Sequence, residues 1–371
     1  MKRFSLIFLG ALAILMAGCS KNNPQQPDPD AWVHDLSLPV PIQFGSSLVE
    51  TKGGFESADD LEGLEGFGVY GLAKNDDASW VQGTEDVLLY NTKAGVESGS
   101  VVLTGGPYYY PRESTRNFSF YGYFPRLVGT TLKDGVGLGA PVGVGSAENA
   151  RYALGKTDFI WAKAAAKGNG YNAKYIRGIR SESIDDESPI FNFRHVTSGL
   201  KFVAVANMDE NVNTGAASNT DADFVAIKIK SVTVKNVFTS GWLCVAGENE
   251  GEIIELGDPA SITITPDSDV NPTALGTEIG EFFPYPDPNS DIGYEVEVKV
   301  ESPLGTYTVD FTTEKLVPGT RYVYNLLFHK VDDVRIKIGE LSWDNVVETP
   351  VDTDDLTGED NSDDSDDPSL P

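Results

Sequence analysis

The chain has 371 residues, more than one ordinary domain holds, which predicts two domains with appendages. Hydrophobic residues make up 40% of the sequence and aromatic residues 10%, enough for a packed core, so global disorder is excluded. With 56 Asp and Glu against 28 Lys and Arg, the net charge of -28 excludes proteins that bind nucleic acid or an anionic bilayer electrostatically.

Residues 1–18 have the pattern of a signal peptide that is removed. Lys2 and Arg3 precede an apolar run too short to span a bilayer, and small residues stand directly before Cys19. The pattern resembles that of bacterial lipoproteins, whose cysteine receives diacylglycerol and becomes the new N-terminus. A secretory signal with a chance cysteine and an N-terminal anchor helix are the alternatives.

Polar segments flank the predicted globular part. Residues 19–38 are predicted to form a lipid-anchored linker, because residues 20–30 are polar, rich in proline and free of apolar side chains. At the other end, residues 350–371 are predicted to form a disordered acidic tail. From residue 352 onward this tail carries nine acidic residues and no basic one, so like charges repel along it.

Alternation of apolar and polar side chains predicts strands through most of residues 39–349, hence an all-β protein. The clearest prediction is a hairpin over residues 294–311, with its turn at residues 302–305. The parity of the alternation changes near Ser231, which predicts a β-bulge or a strand end. Further strands are predicted at residues 41–48, 67–72, 118–124, 200–206, 322–331 and 334–341.

Two segments lack this alternation. Residues 135–145 carry five glycines and are predicted to form a loop. Residues 169–187 are polar and rich in turn-forming residues, which predicts a domain boundary there. The sequence therefore predicts an N-terminal β-sandwich domain over residues 39–188 and a C-terminal one over residues 189–349.

Several short groups of aromatic and turn residues, taken together in chain order, resemble the fimbrillin family, the subunits of type V pili of Bacteroidales. The groups are 42–44 with 51–52 and 66–70, 108–111, 118–125, 157–162, 191–195 with 199–201, and 318–327 with 341–343. Each group is short, and their order and the lipoprotein signal carry the resemblance. It implies two β-sandwich domains of transthyretin-like topology.

The resemblance also implies a maturation scheme. A lipidated precursor at the outer membrane is cut by a trypsin-like protease near the end of its first strand, and a neighbouring subunit's strand fills the groove left behind. In this chain Val40, Ile42 and Phe44 alternate as a displaced strand requires, and Lys52 is the candidate cleavage site. An ordinary edge strand followed by a surface lysine is the alternative.

The C-terminal end departs from the family pattern. A donor strand needs alternating apolar side chains, and few follow Val347. Either residues 334–347 form the donor, or this subunit does not donate and occupies a tip, anchor or accessory position.

The sequence motifs typical of catalysis and of metal binding are absent or incomplete. No Gly-x-Ser-x-Gly motif occurs, and residues 155–157 lack the leading glycine and the helix of a phosphate-binding loop. His195 shares the parity of two phenylalanines, which favours a core position. Residues 287–291 have the spacing of a calcium loop, but Ile292 occupies the required glycine position, so a turn is predicted. No cofactor and no metal are expected, and Cys244 is expected to be a buried, inert thiol.

The sequence thus favours a non-enzymatic pilus subunit that contributes to cell adhesion as an outer-membrane lipoprotein at the cell surface. Expected partners are other pilus subunits through strand insertion, the outer membrane through the lipid on Cys19, a Lys/Arg-specific protease, and a host protein or glycan, but not nucleic acid. A monomeric adhesin is one alternative. Another is a glycan-binding lipoprotein with an exposed platform of Trp80, Trp161 or Tyr108–Tyr110, and a glycoside hydrolase with paired carboxylates is a distant one.

Overall fold

The computed structural model describes residues 28, 30–48, 66–74, 87–112, 116–133, 137–164, 170–181, 189–206, 224, 226–330, 333–342 and 350–351. Within this part of the chain, no helix has the length and apolar content needed to cross a membrane. The predicted signal peptide and most of the predicted tail, together with Cys19 and Lys52, lie outside the described residues.

Strands dominate the first half of the described chain. Its elements are α1 (Ala31–His34), β1 (Phe44–Leu48), β2 (Phe67–Lys74), β3 (Val87–Glu97), β4 (Ser100–Leu103), β5 (Asn117–Phe124), β6 (Thr131–Lys133), β7 (Gly137–Gly143), β8 (Ile160–Ala164), α2 (Ala173–Ser181) and β9 (Ile190–His195).

The second half continues with strands alone among its described elements, so the all-β prediction is confirmed. They are β10 (Gly199–Ala206), β11 (Lys228–Phe238), β12 (Ser240–Gly247), β13 (Ile253–Ile254), β14 (Pro259–Ile264), β15 (Thr277–Phe282), β16 (Glu295–Ser302), β17 (Gly305–Thr312), β18 (Thr320–Lys330), β19 (Asp333–Ser342) and β20 (Pro350–Val351).

Seven strands of the N-terminal half close into a barrel in the order β1-β4-β3-β2-β5-β8-β9. Its strand β5 is rich in aromatic residues, and these reach both faces because successive side chains of a strand point in opposite directions. Phe118 and Phe120 belong to the hydrophobic cluster inside the barrel, here called the barrel core. Tyr121 and Tyr123 belong to a second cluster, here called the bridging core. One strand therefore supports two cores.

The bridging core lies under a sheet of order β13-β12-β7-β6, and this sheet corrects the prediction that residues 135–145 form a loop. Strand β7 pairs with β12 from Gly143–Ser240 to Gly137–Gly247. A Cβ atom on Gly139 would lie 2.2 Å from the carbonyl oxygen of Leu243. The glycines thus permit a close approach of two backbones, although their number suggested a loop.

The C-terminal half forms a β-sandwich. A sheet of order β15-β10-β18-β19-β20 and a sheet of order β14-β11-β16-β17 pack around a third cluster, the sandwich core. The ring of Phe311 on β17 lies 5.5 Å from that of Tyr324 on β18, which joins the two sheets. The predicted hairpin is confirmed as β16 and β17, and the predicted bulge as a register shift between Ile229 and Ser231.

Helix α2 lies within residues 169–187, the polar segment that is predicted from its turn-forming residues to be a domain boundary. Ala173, Ile176 and Ile179 are spaced so that they bury one face of the helix in the barrel core. The side chain of Asn172 accepts a hydrogen bond of 2.8 Å from the backbone N–H of Tyr175, which caps the helix. The helix has only nine residues, too few for its period to stand out in a polar sequence.

The sheet that each strand joins can be compared with the predicted domain limits. Strand β9 pairs with β8 and with β1, so the first sheet extends beyond the predicted boundary at residue 188. The chain changes sheet at residues 196–198, and the sheet over the bridging core contains strands from both halves. At the end of the predicted linker over residues 19–38, the carbonyl oxygens of Trp32, Asp35 and Leu38 accept hydrogen bonds from Arg177 of α2. The division into two domains stays a prediction.

Candidate strand-exchange site

The first extended segment of the described chain buries alternate side chains. Val40, Ile42 and Phe44 are 1%, 7% and 3% exposed, whereas Gln43 between them is exposed. All three buried side chains belong to the barrel core. The three residues that the sequence selects as a displaced strand therefore share the face that lies on this core.

Backbone pairing holds this segment in two separate stretches. Upstream, the N–H of Ile42 donates to the carbonyl oxygen of Tyr108 over 2.8 Å, and the N–H of Tyr110 donates to that of Val40 over 3.0 Å. Downstream, β1 pairs with β4 at two positions and runs parallel to β9 over four. The segment is therefore part of the barrel, but its pairing with the β4 side is interrupted at Gln43.

Aromatic packing forms the floor beneath the segment. The ring of Phe44 meets that of Phe120 edge-on at 4.8 Å between centroids, and that of Phe191 at the same distance. Aromatic pairs at this separation contribute beyond their buried area. Loss of the segment would expose these rings as an apolar groove with unpaired backbone on both sides.

The residues before the segment are held by α2. The guanidinium of Arg177 donates hydrogen bonds to the carbonyl oxygens of Trp32, Asp35 and Leu38, and the side chain of Trp32 is buried in the barrel core. Hydrogen bonds from the side chain and backbone of Ser37 lower the pKa of the Asp35 carboxyl, and the charge of Arg177 adds to that effect. The chain therefore enters the first strand from a fixed position.

A cleft of about 670 Å³ opens beside the interruption in pairing. Gln43, Val102 and Tyr108 are among its lining residues, together with Ile190 of β9. Arg180 of α2 also lines it, and among the described lining residues it alone carries a charge. The cleft is thus an apolar opening with a cationic rim, continuous with the first strand.

Two other residues of the predicted maturation scheme, Cys19 and Lys52, lie outside the described residues. Lipidation and cleavage therefore stay predictions. Sequence reasoning missed the contribution of residues 108–110 and of α2 to this site. The spacing of Ala173, Ile176 and Ile179 is the signal of the helix in the sequence, but it covers too few residues to stand out in a polar segment.

Residues considered for other functions take up structural positions. His195 is 1% exposed and its Nδ1 lies 2.8 Å from a carboxyl oxygen of Asp158. Burial raises the pKa of the Cys244 thiol to about 11. Trp161 and Tyr110, two residues of the suggested glycan platform, are buried, and Trp80 lies outside the described residues. The described chain holds no cluster of three or more metal-ligating side chains.

Comparison with protein families gives one match. A family model described as fimbrillin-like matches residues 56–342, which is most of the chain. Among curated proteins, no significant sequence match is found.

The comparison with solved structures finds proteins from Bacteroides and Parabacteroides. A candidate cell adhesion protein from Bacteroides ovatus shares 16% identity at a TM-score of 0.50, covering 82% of this chain and 97% of that one. A fimbrial protein from Bacteroides vulgatus shares 13% at 0.44, covering 81% and 99%. A fimbrial assembly protein from Parabacteroides distasonis shares 10% at 0.38, covering 84% and 100%. The first of these likenesses supports the same fold for this chain.

Proposed function

The chain belongs to the fimbrillin-like family, and from that premise we propose that it is a subunit of a type V pilus, assembled by protease-triggered strand exchange. The family is one of fimbrial and adhesion proteins without catalytic activity, which indicates a surface location in a pilus and sets the glycoside hydrolase aside. The observation that carries the proposal is the burial of Val40, Ile42 and Phe44 in the barrel core.

The proposed sequence of events begins with the precursor. Cys19 carries the lipid that holds it on the outer membrane, and a Lys/Arg-specific protease cuts after Lys52. That lysine follows the end of β1 by four residues, so the cut leaves the whole first strand on the released fragment. A strand from a neighbouring subunit then fills the groove, where main-chain pairing supplies affinity and alternate apolar side chains supply specificity.

The position of this subunit in the fibre depends on its C-terminal end. Strand β19 pairs with β18 from Asp333–Lys330 to Ser342–Thr320, so the first part of the candidate donor over residues 334–347 is built into its own sheet. Either the residues after Ser342 donate to a neighbour, or the subunit does not donate and occupies a tip, anchor or accessory position. Adhesion to a host protein or glycan would follow from a surface position in the fibre.

Proteolysis of the lipid-free precursor tests the proposal. Treatment with a Lys/Arg-specific protease should give a new N-terminus at Gly53. On incubation, a subunit that donates its C-terminal end should form polymers that are visible by light scattering, whereas a tip, anchor or accessory subunit should stay monomeric. A Lys52→Arg variant should behave like wild type, whereas Lys52→Gln should stay uncut and monomeric. Assembled material that keeps the N-terminus at Cys19 would contradict the cleavage step.

A further inference from the structure

Strand β17 lies at the edge of one sheet of the sandwich. Among the described residues it pairs with β16 alone, over eight consecutive positions without a register shift. A two-residue turn closes this hairpin, which places Ser302 and Gly305 in a hydrogen-bonded pair. At the other end, the N–H of Thr313 donates to the carbonyl oxygen of Tyr294 over 2.9 Å, which fits the same alternation of pairs.

This alternation determines which backbone groups of β17 face outward. Residues in hydrogen-bonded pairs direct their N–H and C=O groups toward β16, and the residues between them direct theirs away from it. The outward-facing residues are Thr306, Thr308, Asp310 and Thr312. The edge of β17 therefore presents a regular row of backbone donors and acceptors.

The other edge strands of the sandwich are interrupted or short. Strand β14 begins with Pro259, which has no N–H, and its pairing with β11 shifts between Val234 and Val237. The pairing of β15 with β10 shifts between Phe202 and Val203, and β20 has two residues. Bulges, prolines, lysines and short length prevent edge strands from associating. Strand β17 has none of these features.

The side chains of β17 favour a partner with the same sequence. Asp310 is the only charged residue of the strand, although the whole chain has a net charge of -28. On the neighbouring β16, Glu297 and Glu301 form ion pairs with lysines. The other face of β17 is apolar and packs half-buried against the sandwich core. It consists of Tyr307, Val309 and Phe311.

We propose that β17 pairs antiparallel with β17 of a second copy of this chain, about a twofold axis at Val309. In this register Thr308 lies opposite the partner's Asp310, and Thr306 lies opposite the partner's Thr312. Every outward N–H and C=O group of both strands is then paired. The two aspartates do not oppose each other, whereas a register centred on Asp310 would place like charges together.

The strength of one such pair is limited by its size. Two strands of eight residues bury less than the roughly 1,200 Å² of a stable interface, and two copies of net charge -28 repel each other, so the dilute precursor is monomeric. Many copies along two neighbouring fibres pair together, and their contributions add. The edge of β17 therefore mediates lateral association of fibres. The pairing needs no cleavage, whereas this consequence rests on the proposed function.

Disulfide trapping on the uncut, lipid-free precursor, with Cys19 replaced by serine, detects the pair. With diamide as oxidant, Val309→Cys should give a covalent dimer, because the axis brings the two substituted side chains together in a non-hydrogen-bonded pair. Thr308→Cys is the matched control. Its position is more exposed but lies opposite the partner's Asp310, so it should give about a tenth as much dimer or less. Equal yields, or no dimer from V309C, would overturn the proposal.

Charge substitution at Thr308 tests the register independently. In sedimentation equilibrium at high protein concentration, Thr308→Lys should strengthen association and Thr308→Asp should weaken it, with dissociation constants that differ about tenfold. The same two substitutions at Thr306, opposite the partner's Thr312, are the matched controls and should differ less. Monomers at every concentration, or equal differences at both positions, would assign any contact to another surface and overturn the proposal.

Electron microscopy of polymers tests the consequence for fibres. Polymers of wild-type precursor cut after Lys52 should lie side by side in bundles, whereas T308D polymers should be single. Bundles of T308D polymers would overturn the role of β17 in lateral association. Failure of cutting would contradict the proposed function alone, because trapping and sedimentation use the uncut precursor.

Discussion

The ring of Phe44 lies 4.8 Å from the ring of Phe191, between centroids, and this contact joins the first strand of the barrel to its last. The two residues lie on β1 and β9, which run parallel. The first strand is therefore held by a part of the chain that follows it by nearly 150 residues. A cut between them would leave the groove intact and remove only the covalent link to its occupant.

Because the first strand is buried, a charged residue on its core-facing side should destabilise the precursor. Ile42→Asp should lower the free energy of unfolding by about 2–4 kcal/mol, because a carboxylate would be placed in the barrel core. Gln43→Asp is the matched control on the opposite, exposed face, and it should change stability by less than about 0.5 kcal/mol. Urea unfolding followed by tryptophan fluorescence measures both, and equal stabilities would show that the segment does not contribute to the fold.

Two glycines should respond in opposite ways to replacement by alanine, since one lies at the close pairing of β7 with β12 and the other lies within α2. Gly139→Ala would place a Cβ atom 2.2 Å from the carbonyl oxygen of Leu243, so we expect a loss of stability of about 1–3 kcal/mol. Gly178→Ala lies within α2 and meets no atom within 4 Å, so it should gain about 0.5–1 kcal/mol from higher helix propensity.

Thermal melts of the two glycine variants measure the difference. A Gly139→Ala protein as stable as the wild type would mean that β7 and β12 can separate without cost. That result would argue against the sheet over the bridging core.

A buried ion pair predicts a pH-dependent mutational effect. Arg321 on β18 binds both carboxyl oxygens of Glu281 on β15, at 2.8 and 2.9 Å. Burial raises the pKa of Glu281 above its ordinary value of 4.5, and Arg321 opposes that rise. Arg321→Ala should cost about 3–5 kcal/mol at pH 7, because it leaves a buried carboxylate without its counter-charge.

The sign of the pH effect follows from the raised pKa. Protonation of Glu281 removes a largely buried charge, so the stability that the raised pKa provides is present below pH 4.5 and is lost as pH rises through the folded-state value. The R321A defect should therefore be smaller near pH 4 than at pH 7. As a control, Lys315→Ala breaks an exposed pair with Asp291 and should leave stability nearly unchanged at either pH.

The buried thiol of Cys244 predicts a loss of stability at alkaline pH. Its pKa rises from 9.0 to about 11 on burial, so the unfolded chain ionises first as the pH increases. The contribution is fully present below pH 9 and disappears between pH 9 and about 11. Cys244→Ala should flatten this part of the stability profile, and in the native wild type a thiol reagent at pH 8 should modify Cys244 only on unfolding. Rapid native reaction would contradict burial.

Much of the fold could be predicted from the sequence because strand alternation is local. The hairpin of β16 and β17, the bulge before Ser231 and the core-facing side of Val40, Ile42 and Phe44 all follow from which side chains are apolar. The order of short aromatic motifs likewise indicated the family that the family model then matched.

The remaining features depended on partners distant in the chain. The glycines of β7 are explained only by β12, about a hundred residues later, and α2 only by the barrel core that buries its short apolar stripe. The cleft beside Gln43 exists because residues 104–107 depart from β4 before the backbone returns at Tyr108. Amino-acid sequence alone determined which faces of the strands are apolar. The tertiary structure decided which strands meet and where their pairing is interrupted, because those outcomes depend on close packing between distant segments.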